Sequence, residues 1–530
     1  MKNGLVKLAR VAVCVAACYG SAQAAPTSPQ VVAGQATFSQ QGNVFSITNT
    51  PGAIINWQSF NVNAGEVTRF IQQGSDSAVL NRIVGQDPSR ILGALQSNGK
   101  VFLINPNGIV FGQGARVDVN GLVASTLNIS DSDFLAGKKT FTAGSTAGAV
   151  RNDGAITTPG GGKVFLIAPS VENNGIITAP NGEVVLAAGR SVKLVDSNNP
   201  DLDVVVSAPQ GRAINLGQVG SSRGPIGVYG ALRDQRGGVN ANTAVLGENG
   251  KIVLKASGDT VLEAGSVTSA TGAGKGGEIQ LLGTRVGIGG NALVDASGAQ
   301  GGGAVLAGGD YQGKQQDNRA ALPNAQQTWF GKDARIRADA LVSGEGGKVV
   351  LWSDGATGAY GSISARGAGR GNGGLIETSG HELSTGGIRI DAQGGRQGGK
   401  SGTWLLDPWN IVVRDGGETA PANADMFDKM PGDEDAVVDP GALRDTNANI
   451  VLQARNDLRF EDDLTTDHSV RAEAGNDLTV DARIRAGGDI DLRAGNRLTL
   501  GEGGELRSPN YIDLKAERMD LFGRIRSLDG

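Results

Sequence analysis

Histidine, cysteine and aromatic side chains are scarce in this 530-residue chain, and each shortage excludes a class of function. Two histidines, His381 and His468, and two cysteines, Cys14 and Cys18, are too few for a His/Cys zinc site. They also leave little from which to build a serine or cysteine triad. Aromatic residues make up 4% of the chain, long amphipathic helical periods are missing, and no stretch after residue 24 approaches the roughly 20 apolar residues of a membrane helix. A basic excess is lacking too: the formal charge is −5, which argues against a nucleic-acid partner and against a polybasic membrane anchor.

What is abundant is glycine, with 84 residues, amid Val, Ile, Leu, Ala, Thr and Ser. That mixture suits short strands joined by tight turns. The chain is too long for one ordinary globular core, so it is either several domains or one elongated repeat.

The N-terminus carries Lys2, Lys7 and Arg10, then the short apolar run from Val11 to Ala17, then Ala22-Gln23-Ala24. This is the layout of a secretory signal with cleavage between Ala24 and Ala25. Lipidation of Cys18, which follows Val15-Ala16-Ala17, is the alternative. Cleavage after Ala24 removes both cysteines, so no disulfide can lock the mature chain before it crosses a second membrane. It also leaves 45 basic against 53 acidic residues, a charge of −8.

Aligning the Gly-Gly pairs exposes a repeat. Gly276-Gly277, Gly302-Gly303, Gly346-Gly347, Gly373-Gly374 and Gly398-Gly399 each precede a strand-like run, at spacings of 26, 44, 27 and 25. The long step holds an insertion, the polar stretch from Tyr311 to Gln327. Asn456-Asp457-Leu458, Asn476-Asp477-Leu478 and Asn496-Arg497-Leu498 recur every 20 residues, each two residues behind an alanine: Ala454, Ala474 and Ala494. Such periods describe the coils of a solenoid. Runs such as Asp489-Ile490-Asp491-Leu492-Arg493 alternate, which predicts one strand face inward and the other in water. The expected fold is all-β, a right-handed parallel β-helix with an N-terminal β cap. With about 22 residues per coil it has roughly 20 coils, and at ~4.8 Å per rung a length on the order of 100 Å.

The predicted organisation is a signal at 1–24, cap and start of the export domain at 25–132, and coils at 133–275. Gly-Gly-repeat coils follow at 276–413, a loop or linker at 414–448, and 20-residue repeats at 449–530. No cap is evident after Asp520-Leu521-Phe522-Gly523, so a longer product or another element would have to cover that edge.

Several motif spellings are rejected. Gly394-Gly395-Arg396-Gln397-Gly398-Gly399-Lys400-Ser401 spells a phosphate loop but is followed by a strand-like run rather than a helix. Gly369 to Gly374 fits a dinucleotide pattern by chance in a glycine-rich chain. Gly220-Ser221-Ser222-Arg223-Gly224 spells a nucleophile elbow with no helix behind it. His381 reads as a turn residue and Asp433-Glu434-Asp435 as a solvated loop, while Gly487 to Leu492 has the spelling of a calcium-binding nonapeptide but lacks its tandem recurrence. Asn128-Ile129-Ser130 reads as an unmodified sequon. A β-helical carbohydrate-active enzyme would need stacked carboxylates, which one sequence cannot locate. The chain is expected to be non-enzymatic, with no cofactor and no metal.

One stretch breaks the periodicity, from Asn81-Arg82-Ile83 to Asn105-Pro106-Asn107-Gly108-Ile109. Its Asn-Pro-Asn-Gly is a strong turn, proline fixing φ and glycine permitting a left-handed position. Together with Ile55-Asn56-Trp57-Gln58-Ser59-Phe60-Asn61, these motifs closely resemble the secretion domain of two-partner secretion exoproteins, of which filamentous haemagglutinin is the best known. Ala124 to Ser130, Glu377-Thr378-Ser379-Gly380-His381 and Trp404-Leu405-Leu406-Asp407-Pro408 bring the likeness nearer to the high-molecular-weight adhesins. The likeness carries specific motifs to about residue 413.

The resemblance implies a Gram-negative exoprotein, secreted or held at the cell surface. Its partner would be an outer-membrane β-barrel transporter with periplasmic polypeptide-transport domains. It makes Asn81, Arg82, Ile83, Asn105, Pro106, Asn107, Gly108 and Ile109 the secretion signature. Whether they fold the domain or touch the transporter stays open. A host-cell receptor or glycan would be the adhesin's target, and a toxin-delivery or ligand-scavenging exoprotein is the alternative. Family adhesins are usually far longer, and no C-terminal anchor is recognisable here.

Overall fold

The computed structural model describes residues 26–527 apart from 146, 181, 196–202, 208–211, 216–217, 221–225, 230, 236–237, 241–249, 257, 315–321, 417–425 and 429. The predicted signal, with Cys14, Cys18, Ala24 and Ala25, lies outside the described residues, as does most of the Gly220–Gly224 spelling.

The described chain opens as an antiparallel cap. Ala36–Gln41 forms a hairpin with Val44–Asn49 through Gly42, whose φ of +60° suits the turn. Gln30–Ala33 runs antiparallel to Ala53–Trp57. Parallel pairing begins at once beneath this cap, Val44–Asn49 with Val67–Ile71 and Ala53–Trp57 with Ala78–Ile83. The cap is therefore confined to the first few strands, and regular coils already occupy most of 25–132.

Each coil contributes to three faces of a parallel β-helix. One ladder runs from Ala53–Trp57 through Ala78–Ile83 and on to Ile512–Lys515, a second from Ser89–Ile91 to Glu382–Ser384, and a third from Val44–Asn49 to Arg389–Asp391. The first ladder has about 17 rungs, on the order of 80 Å at ~4.8 Å each. This is shorter than the sequence estimate, because several steps along the ladder are long, among them Gly121 to Lys163, Ala304 to Lys348 and Thr403 to Asn449. Ala94–Ile104 and Arg116–Ser125 each serve two faces, with a register break between Val119 and Gly121 where the strand turns the corner.

In the last coils burial alternates as the sequence predicts: Val470, Ala472 and Ala474 face the interior while Arg471 faces water. In the first coils it does not. Lys163–Ala168 and Glu183–Ala188 are buried on both faces, because a second hydrophobic core lies outside the helix. Ile54, Leu80, Phe102, Val123, Phe165 and Val185 pair rung on rung into one outward column. The helix Asp131–Leu135 and the antiparallel strands Lys139–Thr142, Ser191–Val195 and Asp203–Ser207 lie outside the helix here. Phe134 meets Phe102 edge to face at 5.1 Å, and Phe141 and Val192 complete the cluster.

Within the predicted linker at 414–448, the segment from Asp435 to Arg444 belongs to the helix. Asp435–Val438 pairs in parallel with Asn410–Val413. The short helix Pro440–Arg444 buries Leu443 and packs against Leu464–Thr466, where the third face resumes. Asp439 caps that helix, accepting from the amides of Gly441 and Ala442, with Pro440 in the first turn.

Candidate functional site

The signature motifs, scattered over some fifty residues, meet on adjacent rungs. Asn81 sits in the inward column between Ile55 and Leu103 and is fully buried (0% exposed). A carboxamide there must be satisfied from within the core. Its Oδ1 accepts the indole N–H of the equally buried Trp57 at 3.0 Å, and its Nδ2 donates to the Phe102 carbonyl at 3.3 Å. Trp57 needs that acceptor as much as Asn81 needs the donor. Phe38, Phe45 and Phe60 ring the indole edge to face, tying the cap to this point.

Arg82, one residue on, points outward. Its Nη2 donates to the Ile129 carbonyl at 2.8 Å and pairs with Asp131 at 2.7 Å, while Nε donates to Asn128 Oδ1 at 3.2 Å. The Arg82 side chain is 17% exposed and that of Asp131 42%, so the bond to the Ile129 carbonyl is sheltered while the ion pair is partly screened by water. Alternation along one strand thus lets Asn81 lock the inner core while Arg82 fastens the chain that closes the outer one. Ile83 returns to the interior. Ser130 caps the helix that follows by accepting the Asp133 amide at 3.0 Å. The sequon asparagine, Asn128, is exposed and accepts one bond from Arg82 through its Oδ1.

The Asn105–Gly108 turn is equally internal. Asn105 is fully buried; its Nδ2 donates to the Asp87 carbonyl and to Ser89 Oγ, both at 3.0 Å, and its Oδ1 accepts the Asn107 amide at 3.0 Å. Asn107 Nδ2 donates to the Gly85 carbonyl at 2.9 Å. The Pro106 carbonyl accepts the Gly148 amide at 2.7 Å from the next coil. Gly108 has φ +129°, and Ile109 is buried. A Cβ on Gly85 would sit 2.0 Å from the Gln58 carbonyl, which explains a glycine just after Ile83-Val84.

All eight signature residues therefore belong to one folded structure, and Asn81, Ile83, Asn105 and Ile109 present no side chain to the outside. The sequence reading missed Ser89, Asp131 and the carbonyls of Asp87 and Gly85. The one available signal was that a buried Trp57 requires an acceptor, and a polar residue 24 positions later is one coil away.

In the phosphate-loop spelling, a Cβ on Gly399 would lie 2.1 Å from the Gly371 carbonyl, and the strand Thr403–Asp407 follows. His381 lies at a bend with its ring tilted 39° against Trp409, centroids 5.1 Å apart.

Residues 22–299 match the family of the TPS secretion domain. The crystal structure of the HMW1 secretion domain from Haemophilus influenzae is similar with a TM-score of 0.64 at 34% sequence identity, covering 72% of this chain and 100% of that one. A heme/hemopexin-binding protein of Haemophilus influenzae is 37% identical over 129 residues, 24% of this chain and 14% of the relative. A second protein of that name from the species is 33% identical over 131 residues, with the same coverage. The match thus spans about one-seventh of the length of these curated relatives.

Proposed function

We propose that this chain, which belongs to the family of the TPS secretion domain of two-partner secretion exoproteins, is exported across the outer membrane by a dedicated transporter and is a non-enzymatic, adhesin-like surface rod. The observation that carries this reading is the division of labour along one helix. The motifs at Ile55–Asn61, Asn81–Ile83, Asn105–Ile109 and Ala124–Ser130 are consumed in folding the first coils and their outer core, whereas the last coils repeat with little variation and offer a long side surface. A rod of stacked coils also supplies a driving force for export, since each coil buries apolar surface on the one before it as it emerges.

Within this proposal the signature acts as a folding nucleus read by the transporter. The test is to replace Asn105 and Asn107 with Ala, co-express the chain with its transporter and quantify it in the medium. Undiminished secretion sinks the role of this turn.

The relatives named heme/hemopexin-binding proteins favour a second reading, a ligand-scavenging exoprotein. Purified full-length protein separates the two. Saturable attachment to host cells without a heme absorption band supports the adhesin; a stoichiometric heme band without attachment supports the scavenger.

A further inference from the structure

Stacked coils can form in the order in which the chain emerges, each rung on the one before. Three features between Arg285 and Gln453 break that order. The first is on the first face. The turn Tyr311–Gly313 seats Tyr311 on Leu306, Val350 and Trp352, and Asp310 pairs with Lys348 at 2.5 Å. Gln312 there holds a left-handed conformation, φ +54°, that a non-glycine residue keeps only under constraint. The constraint lies further along the chain: its amide donates to both oxygens of buried Glu377 at 3.0 Å, and its Nε2 donates to Gln453 Oε1 at 2.8 Å. Gln453 is 141 residues later. It stands four rungs above the strand Ala304–Ala307 that the turn leaves, about 19 Å at ~4.8 Å per rung.

The second feature runs the other way, on the second face. Met426 and Phe427, in the excursion between Asn410–Val413 and Asp435–Val438, lie back on the strand Arg285–Ile288. Gly287 and Gly289 leave a notch for them. A Cβ on Gly287 would come within 2.7 Å of Met426 Sδ and 3.2 Å of the Phe427 ring, and one on Gly289 within 3.1 Å of the Met426 methyl. Arg285, held by Asp259 through bonds of 2.7 and 2.6 Å, covers the Phe427 ring at 4.6 Å. The third feature is a change of strand order. The Trp409 amide donates to the His381 carbonyl as that of a direct neighbour does, but the Asn410 amide donates to Glu434. From there Asp435–Val438 pairs in parallel with Asn410–Val413 and lies against Glu382–Ser384 on its other edge, so a later strand sits between two earlier ones.

We propose that the coils from Arg285 to Gln453 are a clasped block, which consolidates in one step once Gln453 has folded instead of rung by rung. Neither clasp can be seated by the chain that precedes it: the turn at Gln312 waits for Gln453, and the notch at Gly287 waits for Met426. On the second face Asn410–Val413 cannot take its final place until Asp435–Val438 has entered beside it. The two clasps cross the same rungs on different faces and in opposite directions, so peeling one coil away must break contacts at both. A solenoid whose coils touch only their neighbours opens from any point along its length. Contacts that skip rungs join several coils into one cooperative unit. The inference goes beyond the surface-rod reading and qualifies its driving force, because within this block the last burial is deferred until the whole block is present.

The experiment is pulsed hydrogen exchange, read by mass spectrometry, during refolding of the full-length protein from denaturant. Arg285–Ile288, Leu375–Ser379, Asn410–Val413 and Asn449–Ala454 should gain full protection in one phase with a single rate, while Ala94–Ile104 follows its own. Full protection of Leu375–Ser379 before Asn449–Ala454 begins to be protected overturns the proposal. Two variants separate the clasps from ordinary packing. Gly287→Val fills the notch from the strand side with a residue that suits a strand, so a purely local role for Gly287 leaves other coils unchanged. With the clasp, equilibrium exchange in Gly287→Val rises roughly fivefold or more in Leu375–Ser379, Asn410–Val413 and Asp435–Val438. Unchanged exchange in Ala94–Ile104 is the check that the variant is folded. Gln453→Ala, which removes one side-chain bond, should speed exchange in Lys348–Trp352 and Leu375–Ser379 by roughly threefold or more, and it decides alone if Gly287→Val does not fold. A folded variant whose effect stays on its own rung overturns the proposal. No transporter or host cell enters either measurement, so failure here is distinct from failure of the adhesin reading.

Discussion

Replacing Asn81 with Ala removes the hydrogen-bond acceptor that the Trp57 indole has among the described residues, at a point where both side chains are fully buried. An unsatisfied buried donor costs about 1–3 kcal/mol, and the small void left by the carboxamide adds to this, for a total of about 3 kcal/mol. Since ~1.4 kcal/mol is a factor of ten, amides of Ala53–Trp57, Ala78–Ile83 and the paired part of Ala94–Ile104 should exchange roughly 100-fold faster, while coils beyond Gly276 keep their protection. The measurement is hydrogen exchange by mass spectrometry on protein taken from the periplasm of cells without the transporter, beside secretion measured with it. Trp57→Phe should cost about as much, and the double variant less than the sum by about 1–2 kcal/mol, because the second change deletes a donor already stranded. Secretion should fall in step with local stability. Loss of secretion in Asn81→Ala with unchanged exchange would refute the reasoning, since it would mean that the transporter reads this asparagine from an unfolded chain.

Three further outcomes follow from named contacts. Arg82→Met strips the bonds to Ile129 and Asp131 but keeps most of the side-chain volume; it should loosen Asp131–Leu135 and Lys139–Thr142 by about 1–2 kcal/mol, seen as faster exchange there with the inner coils unchanged. Glu377 is pushed up to about 8, chiefly by burial, so its folded form resists ionisation that the unfolded chain permits above its usual value of 4.5. Stability is therefore lost as pH rises from about 4.5 to about 8, by an amount on the order of 5 kcal/mol over the full window, and is level beyond it; thermal melts of Glu377→Gln should lack that slope, and equal slopes in both proteins would contradict the assignment. Asp477→Ala leaves the Asn496 side chain and the Arg497 amide without their shared acceptor, at 2.7 and 3.2 Å, and should open the turns near 476–497 to limited proteolysis at a cost of about 2 kcal/mol.

The turn ladder shows how far reading the sequence reaches. The 20-residue recurrence of Asn-Asp was visible as a period, and its mechanism is local: Asn476 donates to Asp457 and Asn496 to Asp477, one rung apart. The export signature was visible as an irregularity and as a family likeness, yet its split into an inward Asn81 and an outward Arg82 needed the strand's orientation. The outer core was not legible at all. Phe102, Phe165 and Val185 look like ordinary members of apolar runs, and nothing near them in sequence says that a helix and an antiparallel sheet will cover them. The strand Asp435–Val438 within the predicted linker was missed for a related reason: it pairs with a strand more than twenty residues earlier, and no local pattern records that partner.

By itself the sequence determined the repeat length, the turns, the alternation that makes strands and the segment where the pattern breaks, because these depend on neighbours within a few residues and on glycine's backbone freedom. The tertiary structure decided which rung each strand joins, which faces are covered and which side chains meet across a coil. Parallel pairing brings together residues twenty or more positions apart, so the Trp57–Asn81 lock, the outer core and the two clasps exist only once the coils are stacked.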